Sequence, residues 1–119
     1  MENNQSILAA AAADGPNGYI YTSIDYGKTW IVHESIGEGL YLLTLTSSIN
    51  KGKTLLATGA NGDYIFTSTD LGKTWITQTS SGKRNWWSLT SFPYGDNFGL
   101  AAIPGGFSTP SNIYISLDS

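Results

Sequence analysis

The chain has 119 residues, of which 40% are hydrophobic and only 13% charged, and its net charge is −3. This is enough for one domain with a buried core, but the six basic residues, grouped at closest as Lys51/Lys53 and Lys83/Arg84, do not form the basic stripe that a nucleic-acid surface needs. The absence of cysteine excludes disulfides and thiolate-bound metals, and no apolar run is long enough for a membrane-spanning helix.

The first six residues are polar and slightly acidic. No basic segment precedes the short apolar run at 7–13, so the N-terminus does not read as a signal peptide. Residues 7–13 read instead as a strand, and Asp14-Gly15-Pro16-Asn17-Gly18 as the turn after it. Tyr19-Ile20-Tyr21-Thr22-Ser23 forms the next strand and leads into Ser23-Ile24-Asp25-Tyr26-Gly27-Lys28-Thr29-Trp30. A β-branched run, Thr29-Trp30-Ile31-Val32, follows.

This order then recurs. Residues 40–46 and 54–58 are predicted strands, Asn61-Gly62-Asp63 a turn, and Tyr64-Ile65-Phe66-Thr67-Ser68 a strand entering Ser68-Thr69-Asp70-Leu71-Gly72-Lys73-Thr74-Trp75. Thr74-Trp75-Ile76-Thr77 follows. A third round runs through residues 86–91 and 99–103, a longer loop at 104–111, and Ile113-Tyr114-Ile115-Ser116, ending in Ser116-Leu117-Asp118-Ser119. Asp25 and Asp70 set a period of 45 residues. Naming the strands of a unit A to D, the chain reads B-C-D, A-B-C-D, A-B-C. The fold expectation is all-β, with consecutive four-stranded antiparallel meanders of the β-propeller type. Residues 1–119 then form one partial propeller, with blades at 7–34, 39–79 and 86–118. A β-sandwich would explain the short strands but not one turn phrase recurring at one point in each unit.

The phrase has local work to do. Its Asp can accept hydrogen bonds from its own turn, its Gly permits positive φ, and its Ser and Thr hydroxyls can satisfy nearby backbone groups. The Trp is expected to begin strand D and pack between blades. Ser23, Asp25, Gly27, Thr29 and Trp30, then Ser68, Asp70, Gly72, Thr74 and Trp75, match S-x-D-x-G-x-T-W at every defined position, and Ser116 and Asp118 begin a third copy. The phrase resembles the Asp-box, or BNR repeat, of sialidases, xyloglucan-active glycoside hydrolases, sortilin-type receptors and photosystem II assembly factors. That resemblance implies propellers of six or more blades, with the box on the face opposite the ligand site as a folding element.

Asp25, Asp70 and Asp118 read as turn caps rather than catalytic acids or calcium ligands, because the period puts them on separate blades. Sialidase chemistry, as the resemblance implies it, needs three arginines, and this chain has only Arg84. A general glycosidase needs two suitably spaced carboxylates. Asp14, Glu34, Glu38, Asp63 and Asp96 are available, and no motif selects a pair. His33, the one histidine, cannot build a multi-histidine zinc site within one chain. The Asp/Asn-rich loops lack EF-hand spacing, so no metal and no cofactor is expected.

Lys83-Arg84-Asn85-Trp86-Trp87 is the constellation that points to a ligand. Aromatics beside an amide and a cation suit sugar or peptide recognition. The expected ligand face carries Arg84, Asn85, Trp86, Trp87, His33, Glu34, Asp63 and Phe107, and at least one of the adjacent tryptophans should be core. The leading expectation is a non-catalytic binding or scaffold module for a carbohydrate or protein. Its ring would be closed by a second copy, a dimer being favoured, or by the rest of a longer chain. The competing readings are part of an Asp-box glycoside hydrolase and an assembly-factor-like protein binder.

Overall fold

The computed structural model describes residues 8–14, 17–34, 36, 40–105 and 112–118. Among the described residues, short runs punctuated by turn residues become ten strands: β1 (Leu8–Asp14), β2 (Asn17–Ser23), β3 (Ile31–His33), β4 (Leu42–Asn50), β5 (Lys53–Ala60), β6 (Ile65–Ser68), β7 (Ile76–Gln78), β8 (Trp86–Tyr94), β9 (Asn97–Pro104) and β10 (Tyr114–Ser116). One short 3₁₀ turn, Thr79–Ser81, follows β7. The strands form three antiparallel sheets, β1-β2-β3, β4-β5-β6-β7 and β8-β9-β10, each a meander in chain order. No helix among the described residues is long and apolar enough to cross a membrane.

The sheets stack face to face, and two apolar clusters hold them. Ile20 of the first sheet meets Leu42, Ala60 and Phe66 of the second, joined by Ile36 and Leu40. Leu55, Ala57 and Ile65 of the second sheet meet Trp86, Leu89, Phe98, Leu100 and Ala102 of the third. The second sheet is therefore covered on both faces. This explains why residues 55–60 of β5 are buried without interruption, where a half-exposed strand would alternate.

Register fixes the two ends of the stack. Leu42 pairs with Ala60, and Leu56 with Ser68. Trp86 pairs with Pro104, and Leu100 with Ser116. The strand starts at Leu42 and Trp86 thus share one end with the turns that follow β5 and β9. The repeated phrases share the other end with the β4–β5 and β8–β9 hairpins. There the hairpin tips clasp: Asn50 Nδ2 donates to the carbonyls of Gly95 (3.1 Å) and Asn97 (2.6 Å), and Lys51 pairs with Asp96.

Candidate functional site

The two complete box turns repeat one local geometry. Ser23 Oγ donates to Asp25 Oδ1 at 2.8 Å and accepts from Gly27 N at 2.8 Å. Asp25 accepts from Thr29 N at 2.9 Å through Oδ1 and from the Thr29 hydroxyl at 2.5 Å through Oδ2. Trp30 Nε1 donates to Gly27 O at 3.1 Å. The second copy repeats this set through Ser68, Asp70, Gly72, Thr74 and Trp75 at 2.8, 2.9, 2.9, 2.5 and 3.1 Å. The third begins it, with Ser116 Oγ donating to Asp118 Oδ1 at 2.7 Å.

Gly27 and Gly72 have φ of 87° and 90°, and the residues before them, Tyr26 and Leu71, also have positive φ, 63° in each. Two consecutive positive φ values are the pattern of a type I′ turn, in which the second position favours glycine. The tryptophans lie in the turn rather than in the strand: β3 and β7 start one residue later, at Ile31 and Ile76. The indole N–H caps a turn carbonyl, which pins the ring to the box.

These bonds make the box carboxylates poor proton donors at neutral pH. The threonine hydroxyl, then the threonine backbone N–H, hold Asp25 and Asp70 at a pKa of about 2, against an ordinary 3.8.

At the other end, the structure brings together most of the residues that the sequence singled out. Arg84 N donates to Asp63 O at 3.1 Å, joining the β7–β8 connection to the turn after β5. Asp63 Oδ1 accepts from Tyr64 N at 2.8 Å. Asn85 O accepts from Gly105 N at 2.8 Å. The Arg84 guanidinium lies 4.8 Å over the Tyr114 ring, and Lys83 Nζ lies 5.5 Å over Tyr64.

The adjacent tryptophans divide. Trp86 is fully buried, edge-on to Tyr114 with 5.5 Å between centroids, and its Nε1 donates to Gly82 O at 3.2 Å. Trp87 is 62% exposed. The ladder explains this: the register shifts between Trp86 and Ser88, so Trp87 is a bulge residue. Its indole lies against Gly105, where a Cβ would collide with the ring. The same shift occurs between Leu42 and Thr44, and the bulge residue there, Leu43, is 42% exposed although the second sheet is covered on both faces.

His33 does not join this group. Its Nε2 lies 2.7 Å from Thr22 Oγ1, and its ring faces Gly72 of the second box turn. Burial lowers its pKa below the usual histidine value, while the nearby negative charge of Asp70 pulls the other way. Glu34 follows β3 and is exposed. Phe107 and Glu38 lie outside the described residues.

No pattern within a single repeat marks the cleft of about 660 Å³ between the second and third sheets, lined by Gln78, Ser81, Leu100, Tyr114, Ser116 and Asp118 among others. The signal was available in the repeat: Ser81 stands one period after Ile36, which is buried in the first interface. Among the described residues, no group of three or more His, Cys, Asp or Glu is placed to hold a metal ion.

Comparison with known proteins bears on the box first. The family model of the BNR-Asp box repeat matches residues 20–33. No curated protein matches the chain. Among solved structures, Trypanosoma rangeli sialidase is similar, with a TM-score of 0.45 and 19% identity over 72% of this chain. The chain spans 16% of that sialidase's length. The first box is matched by the family model, the second is built bond for bond like it, and the sheets that carry them are antiparallel meanders; the chain carries the BNR-Asp box repeat.

Proposed function

We propose that the chain is a non-catalytic binding module that presents Trp87 to a carbohydrate at the end of the sheets opposite the box turns. The bulge carries this reading. It recurs at one point in the repeat and turns residues 43 and 87 outward. Leu43 stays exposed with a neighbouring sheet on either side, so the position is not one that sheet stacking buries. An indole there contributes little to the core. Flat aromatic faces beside amide and cationic groups bind sugar rings by stacking and flanking hydrogen bonds. Asn85 and Arg84 stand directly before Trp86 and Trp87 in the chain.

The hydrolase reading has less support. Two acids would have to flank a scissile bond, yet Asp25 and Asp70 are each committed to hydrogen bonds within their own turns. Asp118, in the cleft, is bonded to Ser116 in the same way.

The test is a glycan array followed by titration of the best ligand, with wild type and Trp87→Ala compared. The expected loss is about tenfold or more in affinity, equivalent to about 1.4 kcal/mol. Thermal stability should change by no more than about 0.5 kcal/mol, since the side chain is exposed. Binding by wild type that survives Trp87→Ala would place the site elsewhere. No glycan bound at all would refute the carbohydrate reading.

A further inference from the structure

The repeat gives each position on each face of a sheet an equivalent in the neighbouring sheets. Every sheet has a forward face, which meets the next sheet, and a backward face, which meets the one before. In the second sheet both are covered. Its forward face includes Ile65 and Thr67, only 5% and 4% exposed, and Gly59, also buried. Its backward face includes Thr58 and Phe66, both buried, with Trp75 packed on the same cluster.

The register of each sheet identifies the equivalent positions in its neighbours. Leu100 pairs with Ser116 as Leu56 pairs with Ser68, which makes Ile113 the counterpart of Ile65, Ile115 of Thr67 and Ile103 of Gly59. All three lie on the forward face of the third sheet and all are open to solvent, Ile113 by 68% and Ile115 by 66%. In the first sheet, Ala10 pairs with Tyr21 as Thr58 pairs with Phe66. Ala10 and Tyr21 therefore lie on its backward face, with Trp30 as the counterpart of Trp75. Ala10 is exposed, Trp30 is 45% exposed, and Tyr21 is only half-buried.

Among the described residues, one forward face and one backward face are thus left exposed. Those two kinds of face already meet twice within the chain, at the first–second and second–third interfaces. We propose that the forward face of the third sheet docks onto the backward face of the first sheet in a second copy of this chain, by a head-to-tail contact that continues the internal stacking. Three adjacent isoleucine side chains on a sheet face have no role in a solvated surface, and apolar area of this kind drives association. A face that is not self-complementary requires a heterologous contact, which closes into a ring if the rotation permits. Trp87 is not part of this contact, because the bulge turns it away from the position that stacking buries. The inference therefore stands independently of the carbohydrate reading.

The experiment uses sedimentation velocity on the full chain from about 1 to 100 µM, with two single-face variants. Ile115→Arg blocks the forward face and Ala10→Arg the backward face. Both positions are exposed, and Ile103→Lys is a second forward-face block if Ile115→Arg fails to fold by circular dichroism. Wild type should form dimers or larger species over this range. Each variant alone should be monomeric. An equimolar mixture should give a one-to-one heterodimer, since each variant retains the face that the other has lost. A monomeric wild type at the highest concentration would overturn the proposal. So would a mixture that stays monomeric, or an Ala10→Arg variant that still pairs with itself, which would mean that like faces meet.

Discussion

The turns at residues 23–30 and 68–75 make the same hydrogen bonds within 0.1 Å, yet they sit in different surroundings. Trp75 packs against the cluster between the first and second sheets, whereas Trp30 is 45% exposed. Gly72 lies against the His33 ring of the sheet before it. The geometry of the box is therefore set by its own eight residues, while its contribution to packing depends on having a preceding sheet. Folding of the turn and stacking of the blade are separable in this molecule.

The largest test of that separation is the pair Trp30→Ala and Trp75→Ala. Both lose the indole N–H bond to a glycine carbonyl. Only Trp75 also loses contact with a buried cluster, so Trp75→Ala should destabilise by roughly 1–3 kcal/mol in denaturant melts, and Trp30→Ala by less than about 1 kcal/mol. Equal losses would mean that Trp75 contributes nothing through the sheet interface. If the first sheet's backward face is covered in an assembly, the gap between the two should narrow at high protein concentration.

The next effect should be the same at both boxes. Asp25→Ala and Asp70→Ala each remove an acceptor for one threonine hydroxyl, one serine hydroxyl and one backbone N–H, so each should lower Tm by several degrees and by similar amounts. The carboxylates also predict an acid response. Their folded pKa of about 2 lies below the ordinary 3.8. As pH falls the unfolded chain takes up protons first, so the stabilisation is complete above the unfolded value and is lost between pH 3.8 and about 2. Wild type should lose stability in that window, and a double Asp→Ala variant should show a flatter profile there. An unchanged profile would mean that the threonine bonds do not hold the carboxylates ionised.

How much of this was legible in the sequence follows from the range of each interaction. The box was readable because its acceptors and donors lie within eight residues, and the strands because short apolar or alternating runs lie between turn residues. The antiparallel meanders followed from the period. The fates of Trp86 and Trp87 were readable only to the extent that one had to face inward. A bulge is a mismatch between two strands, and β8 alone does not reveal it. The pairing of Asp63 with Arg84 was anticipated as a shared face, but His33 was expected there too. Its ring instead turns to the next sheet's box, because it pairs across from Ile20 on the face that meets the second sheet. Sequence periodicity located β3 without indicating which neighbour its side chains would meet.

His33 gives the smallest and most specific test of the comparison between repeats. One period later stands Gln78, whose Nε2 donates to Thr67 Oγ1 at 2.7 Å, just as His33 Nε2 lies 2.7 Å from Thr22 Oγ1. The two side chains therefore do the same job: each ties the end of the outer strand to a threonine on the strand beside it. They differ in that histidine can take up a proton. Burial disfavours the charged imidazole more than Asp70 favours it, so the folded pKa lies below the ordinary 6.5. The unfolded chain then protonates first, and the contribution of His33 is complete above pH 6.5 and is lost as pH falls through the folded value. His33→Gln should keep the bond to Thr22 and leave Tm at pH 7.5 within about a degree of wild type. As pH falls below 6.5, wild type should lose stability relative to the variant. A parallel decline of the two would show that His33 does not titrate differently on folding, and a large loss at pH 7.5 would show that the two repeats do not use this position in the same way.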